Sequence, residues 1–251
     1  MLRDIDKLFE GFQDVVKKSK DECGAELEKL RQLTFIINMF FKSLMTSLSV
    51  KKEHRVKIGS SLTLTCFVEL ARISGHTVFF SFNGLYRQAF YNIRYALESI
   101  VQASYIDYGH PKTPLETKME ILKEIEDKIE YRASRLIGNL PMPDKKKKLL
   151  REEYKKLSQI VHPTHRQVIS TLTDLRKPDD GAPTTINCNE VSRIYDSMAR
   201  MYDIFFFLFI TYFPEVKEEL GRNSDFIKQV KTHHLTLLSK TLNVKLDIPE
   251  N

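Results

Sequence analysis

Turn-forming residues are scarce in this chain: nine glycines and nine prolines among 251 residues. So few breakers leave few tight turns, and long helices are expected. Cysteine is equally sparse. Cys23, Cys66 and Cys188 are odd in number, far apart and in no CxxC pair, which predicts reduced thiols in an intracellular protein. Long apolar runs are missing too. The most apolar stretch, "IFFFLFITYF" over 204–213, is about half the ~20 residues a membrane helix needs. It predicts a buried core helix, and no membrane partner is expected. The opening "MLRDIDKLFE" is charged throughout, unlike a secretory signal, so a cytoplasmic location is expected.

Several chemistries lack their motifs. There is no GxxxxGK[ST] and no GxGxxG, hence no phosphate-cradling glycine loop. HEXXH is absent, and zinc-type His/Cys spacing is missing. His233 and His234 are adjacent and cannot face one metal from one helix side. No Gly-x-Ser-x-Gly elbow exists. Neither cofactor nor metal is expected.

What the chain does have is helical periodicity. Apolar residues at helical spacing predict helices over 2–18 and about 21–48. Residues 49–61, "SVKKEHRVKIGSS", read as a polar loop, with Ser60 or Ser61 as the next cap. A helix follows to about Ser74, and "HTVFFSFN" between Gly75 and Gly84 reads as helix. The clearest element is 85–111, with a stripe of Leu85, Ala89, Ile93, Ala96, Leu97, Ile100 and Ser104, ended by Gly109 and Pro111. "TPLE" opens the next helix as a capping box from Thr113 to Glu116 and carries it to about Ile137. "GNLPMPD" is a loop. Helices are expected at about 145–161, closed by Pro163, then at 190–213 and 224–242, with a loop over 176–189. The chain is therefore read as all-α: an N-terminal helical extension over 1–58 on a helical bundle over 59–251.

Two polar clusters stand out. Arg94 and Glu98 are four residues apart beside the apolar stripe of 85–107. They are either an ordinary surface pair or a cleft arginine oriented by a carboxylate. Tyr154, Ser158 and His162 share one stripe of the helix ending at Pro163. There the helix dipole favours an imidazolium. His162 is either a cap for the last carbonyls or an acid–base group. Upstream, "DKKKKLLREEYKK" holds Lys145, Lys146, Lys147, Lys148, Arg151 and Lys155, either a solvated helix start or a phosphate-holding patch. The net charge of +6 and pI near 9.0 permit such an anionic partner.

"GLYRQAFYNIRYALESIVQASYIDYGHP" resembles the R-x-x-x-E helix of HEPN-like proteins. "YKKLSQIVHPTH" resembles the helix end of uncharacterised members of that superfamily. The likeness covers roughly residues 60–172. It implies a helical bundle, commonly a homodimer, that binds RNA, a nucleotide or an antitoxin-like protein partner, or that cleaves RNA without metal. It would give Arg94, Glu98, Ser158 and His162 the site. One departure is plain: the nuclease signature is an arginine, then four to six residues, then the histidine, and counting back from His162 those arginine positions hold Leu157, Lys156 and Lys155. Lysine lacks the planar two-point grip of guanidinium on phosphate. Arg94 would have to serve from the other helix. A binding module without catalysis, a metal-independent ribonuclease of a defence system and a purely structural helical protein are the three functional expectations.

Overall fold

The computed structural model describes residues 2–49, 59–126, 133–161 and 186–246. Within them the chain is all-α, with no strand, as its scarcity of breakers requires. Ser158 and everything before it in the second motif fall inside these residues. His162, Pro163 and His165 lie outside them, as do most of the 49–61 and 176–189 loops.

The two N-terminal helices expected from sequence join end to end as α1 (Leu2–Ser49) across a kink at Cys23, whose φ of −124° and ψ of 26° are non-helical, so the break falls a few residues later than expected. Next, α2 (Leu62–Phe82) starts at Ser61, whose side chain accepts from the Leu64 N–H, and it continues straight through Gly75. Gly84 then turns the chain. Its φ of 66° is open to glycine at no steric cost, and it lets the Leu85 N–H reach the Phe80 carbonyl at 2.8 Å. The chain reverses into α3 (Tyr86–Gly109), which packs antiparallel on α2. After α4 (Leu115–Glu126), residues 127–132 lie outside the description, and a short α5 (Ala133–Leu136) leads into a 3-10 turn at Ile137–Asn139. Helix α6 (Asp144–Val161) packs on α3.

The apolar run lies in α7 (Cys188–Tyr212), which starts two residues before the expected position because Asn187 caps it, accepting from the Asn189 and Glu190 N–H groups. Helix α7 is the central post, in contact with α1, α3 and the C-terminal helices. Phe205, Phe206 and Phe209 meet Phe40 of α1 at ring distances of 6.2, 4.6 and 5.1 Å. Each buried ring removes a large apolar area from water and so contributes strongly to the core. Beyond α7 come α8 (Val216–Arg222), α9 (Ser224–Thr232) and α10 (Thr236–Leu242). The single helix expected over 224–242 is thus two. They are separated where His234 adopts a left-handed φ of 50°.

The expectation of three reduced thiols is corrected. Cys23 and Cys188 form a disulfide across 165 residues, with Cα atoms 5.2 Å apart; only Cys66 is free. The bond ties the irregular point of α1 to the first residue of α7, and it removes the cysteine-based reason for a reducing compartment. No helix among the described residues is long and apolar enough to cross a membrane.

Candidate functional site at the seam of two helices

The two polar clusters meet. Helices α3 and α6 run antiparallel, with Arg94 opposite Tyr154 and Arg87 opposite Val161. Arg94 Nη2 donates to Glu98 Oε1 at 3.1 Å and to the Tyr154 hydroxyl at 3.4 Å. The Tyr154 hydroxyl in turn donates to Glu98 Oε1 at 2.6 Å. The guanidinium carbon lies 5.6 Å from the Tyr154 ring centre, a cation–π approach. Arg94 and Glu98 side chains are 17% and 28% exposed, so the pair is neither a free surface pair nor fully desolvated. An i,i+4 pair alone is worth about 0.3–0.5 kcal/mol; the third member from another helix makes it an inter-helix clamp.

Protonation in this triad follows from burial. The Tyr154 phenol is pushed up by burial and then by its hydrogen bond to Glu98, so it stays protonated. For Arg94, burial works against the charge, but the Tyr154 hydrogen bond and the Glu98 charge more than offset it, and its pKa is raised. The triad therefore holds a fixed positive group and a carboxylate oxygen already accepting two donors.

Ser158 lies one turn beyond Tyr154 on the same helix. Its Oγ is buried with no hydrogen-bond partner among the described residues, so it neither joins the triad nor bonds back into its own helix. His162, on which the acid–base chemistry rests, is outside the described residues. The sequence reading missed a different residue at that end. Arg87 donates from Nε and Nη2 to the Val161 carbonyl at 3.2 and 2.7 Å, so a guanidinium from α3 satisfies the last described carbonyl of α6. Its spacing was the available signal: Arg87 is seven residues before Arg94, on the same helix face.

The basic run of α6 divides. Lys147 donates to the Gly138 carbonyl at 2.8 Å and pairs with Asp144 at 3.8 Å. Lys148, Arg151 and Lys155 are exposed. By helical phase they lie on the flank of α6 that follows on from Tyr154 and Ser158. Lys145 is exposed further round, and Lys146 is half-buried in a separate cleft with α7 and α10. Beside the seam, the outward stripe of α3 carries Tyr91 and Tyr95, one turn apart and 54% and 48% exposed. Arg72 of α2, paired with Glu69, lies within electrostatic reach of Tyr95. Among the described residues no group of His, Cys, Asp or Glu is placed to hold a metal ion. Compared with protein-family models, curated proteins and solved structures, the chain matches none of them.

Proposed function

We propose that the protein is a HEPN-like helical module that binds single-stranded RNA along the outward flank of the α3–α6 seam. The observation that supports it is one surface on which exposed tyrosines stand beside cations. Tyr91 and Tyr95 offer two aromatic faces one helical turn apart. Lys148, Arg151 and Lys155 supply charge on the adjoining flank of α6, with Arg87 and Arg94 between them. Stacking bases on aromatic rings while cations follow the phosphates is the chemistry of single-strand binding. A duplex would hide its bases from the tyrosines. RNA is an intracellular ligand, so a cytoplasmic location goes with this function, as does a defence or toxin–antitoxin setting in which an antitoxin-like protein competes for the same face.

The test is fluorescence anisotropy with labelled single-stranded RNA. Replacing Tyr91 and Tyr95 together by Ala should weaken binding by about tenfold or more, at a stacking value of ~1–3 kcal/mol per base. Replacing Lys148, Arg151 and Lys155 by Gln should weaken it for every sequence and flatten the salt dependence. RNA affinity equal in the wild type and the tyrosine variant would overturn the assignment of this face. Metal-independent cleavage is the second reading, favoured by the Arg87 guanidinium beside the end of α6. It requires cleavage in EDTA that is lost in His162→Ala. A second copy of the chain is the further partner this reading carries. The exposed Val68 and Phe79 on one side of α2 would supply the apolar contact, and sedimentation of wild type against Val68→Glu would reveal it.

A further inference from the structure

On the other side of α6 from the tyrosine face lies a cleft of about 350 Å³, closed by α7 and α10. Its floor is aliphatic, made by Leu149, Ile204 and Leu237. Its charged lining is Lys146, Glu152, Glu153, Lys156, Arg200 and Asp203, and one buried oxygen among these groups, on Glu153, has no hydrogen-bond partner among the described residues.

At one end is Lys146, half-buried, with no ion pair among the described residues. Burial and then the nearby charge of Lys240 push its pKa down, against a smaller pull from Asp203. Asp203 is already engaged. Its Oδ2 and Oδ1 accept from the Leu237 and Leu238 N–H groups at 2.8 Å each, and Oδ2 also takes the Thr236 hydroxyl at 3.4 Å. A lysine lining the cleft without an ion pair among the described residues, beside a carboxylate whose oxygens are taken, leaves a place for an anion.

Two turns along α6 is Glu153, whose side chain is only 4% exposed. Its Oε2 accepts from Arg200 Nη1 at 2.9 Å. Its Oε1 is buried with no partner among the described residues. A buried carboxylate oxygen without a donor is costly and rare in native folds. Lys146 and Glu153 are seven residues apart, about 10 Å along the helix axis, with the aliphatic floor between them.

We propose that this cleft binds a small amphiphilic anion. A carboxylate or phosphate head would meet Lys146, an apolar body would cover Leu149, Ile204 and Leu237, and an N–H or O–H group would donate to Glu153 Oε1. The volume is at the small end of the range for ligand sites, too small for a polymer. The site is independent of the RNA-binding face, and either can fail without the other.

The experiment uses 8-anilinonaphthalene-1-sulfonate as the probe, since it carries an anion, an apolar ring system and one N–H. Its fluorescence is titrated against the wild type, Lys146→Gln and Glu153→Gln, with melting curves establishing that both variants fold. Glu153→Gln keeps the side-chain shape and changes the unpartnered acceptor. Each substitution should weaken the dye by about tenfold, the size expected for one hydrogen bond to a charged group. Displacement by N-acetylleucine would assign a carboxylate head, and displacement by adenosine 5′-monophosphate a phosphate head. Dye affinity unchanged in both folded variants would mean binding elsewhere, such as the apolar groove of Val16, Phe79, Phe82 and Leu85, and would overturn the proposal. Displacement by neither compound would overturn the ligand class.

Discussion

His233 is the residue with the clearest pH signature. It is buried, its Nδ1 lies 2.9 Å from the Tyr195 hydroxyl, and its Nε2 lies 3.1 Å from Gln229 Oε1. Burial, then the charges of Lys29 and His234, hold its pKa down at about 4 from the ordinary 6.5. The unfolded chain therefore takes up this proton at a higher pH than the folded one. Stability from this group is intact above pH 6.5 and is lost as pH falls from 6.5 towards 4, reaching on the order of 3 kcal/mol. Urea unfolding of wild type and His233→Gln between pH 7 and 4 measures it, because carboxylates common to both cancel. The wild type should lose more stability on acidification; parallel profiles would refute the burial of a neutral imidazole. At this scale the sequence was legible within one helix and not between helices. Arg94 and Glu98 are paired by their spacing alone. Tyr154 joins them, and Arg87 reaches Val161, only through the register of α3 on α6, which no local pattern encodes.

Helix boundaries depended on groups from other elements. The clearest case is the start of α2. Asp107, near the end of α3, accepts from the Ser61 hydroxyl at 2.8 Å and from the Leu62 and Thr63 N–H groups at 3.1 and 2.8 Å. Lys118 of α4 donates to the same carboxylate at 2.9 Å and to the Ser60 carbonyl at 2.7 Å. Both charges are essentially fully buried. Lys118→Met would leave Asp107 charged and without its counter-ion, and should cost about 3 kcal/mol. Adding Asp107→Asn to that variant should recover part of the loss. A double-mutant cycle by urea unfolding reads both, and a cost under ~1 kcal/mol for Lys118→Met would contradict the desolvation argument. Asp203 does the same for α10, and this explains the misread C-terminal helix. No glycine or proline marks the break after α9, so periodicity ran on through it. A carboxylate from α7 satisfies the first N–H groups of α10 and makes a new start there affordable.

Over the whole molecule, the Cys23–Cys188 bond closes the longest covalent loop, 165 residues. Cross-linking so long a loop restricts the unfolded chain, and native disulfides are worth about 2–5 kcal/mol. For a chain of this length the melting temperature should fall by about 10 °C on adding a non-thiol reductant, or in Cys23→Ser with Cys188→Ser. Equal melting with and without reductant would show that the bond contributes nothing. Half-buried Cys66 should stay unreactive throughout. Burial, then the Asp107 and Glu69 charges, push its thiol up to about 12, so little thiolate forms near neutrality.

The sequence by itself determined that the protein is all-α. Scarce breakers, 3.6-residue periodicity and a serine cap at Ser60 or Ser61 act within a few residues of one another, and their energies are expressed wherever the helices end up. It determined that 204–213 is largely core, because nine of its ten residues are apolar and have nowhere else to go in water; Thr211 alone is exposed. Tertiary structure alone decided which cysteines pair, where α9 gives way to α10, that Tyr154 completes the Arg94–Glu98 pair, and how the lysines of α6 divide between two faces. Each of these depends on the distance between residues far apart in the chain, and that distance is fixed only when the helices pack.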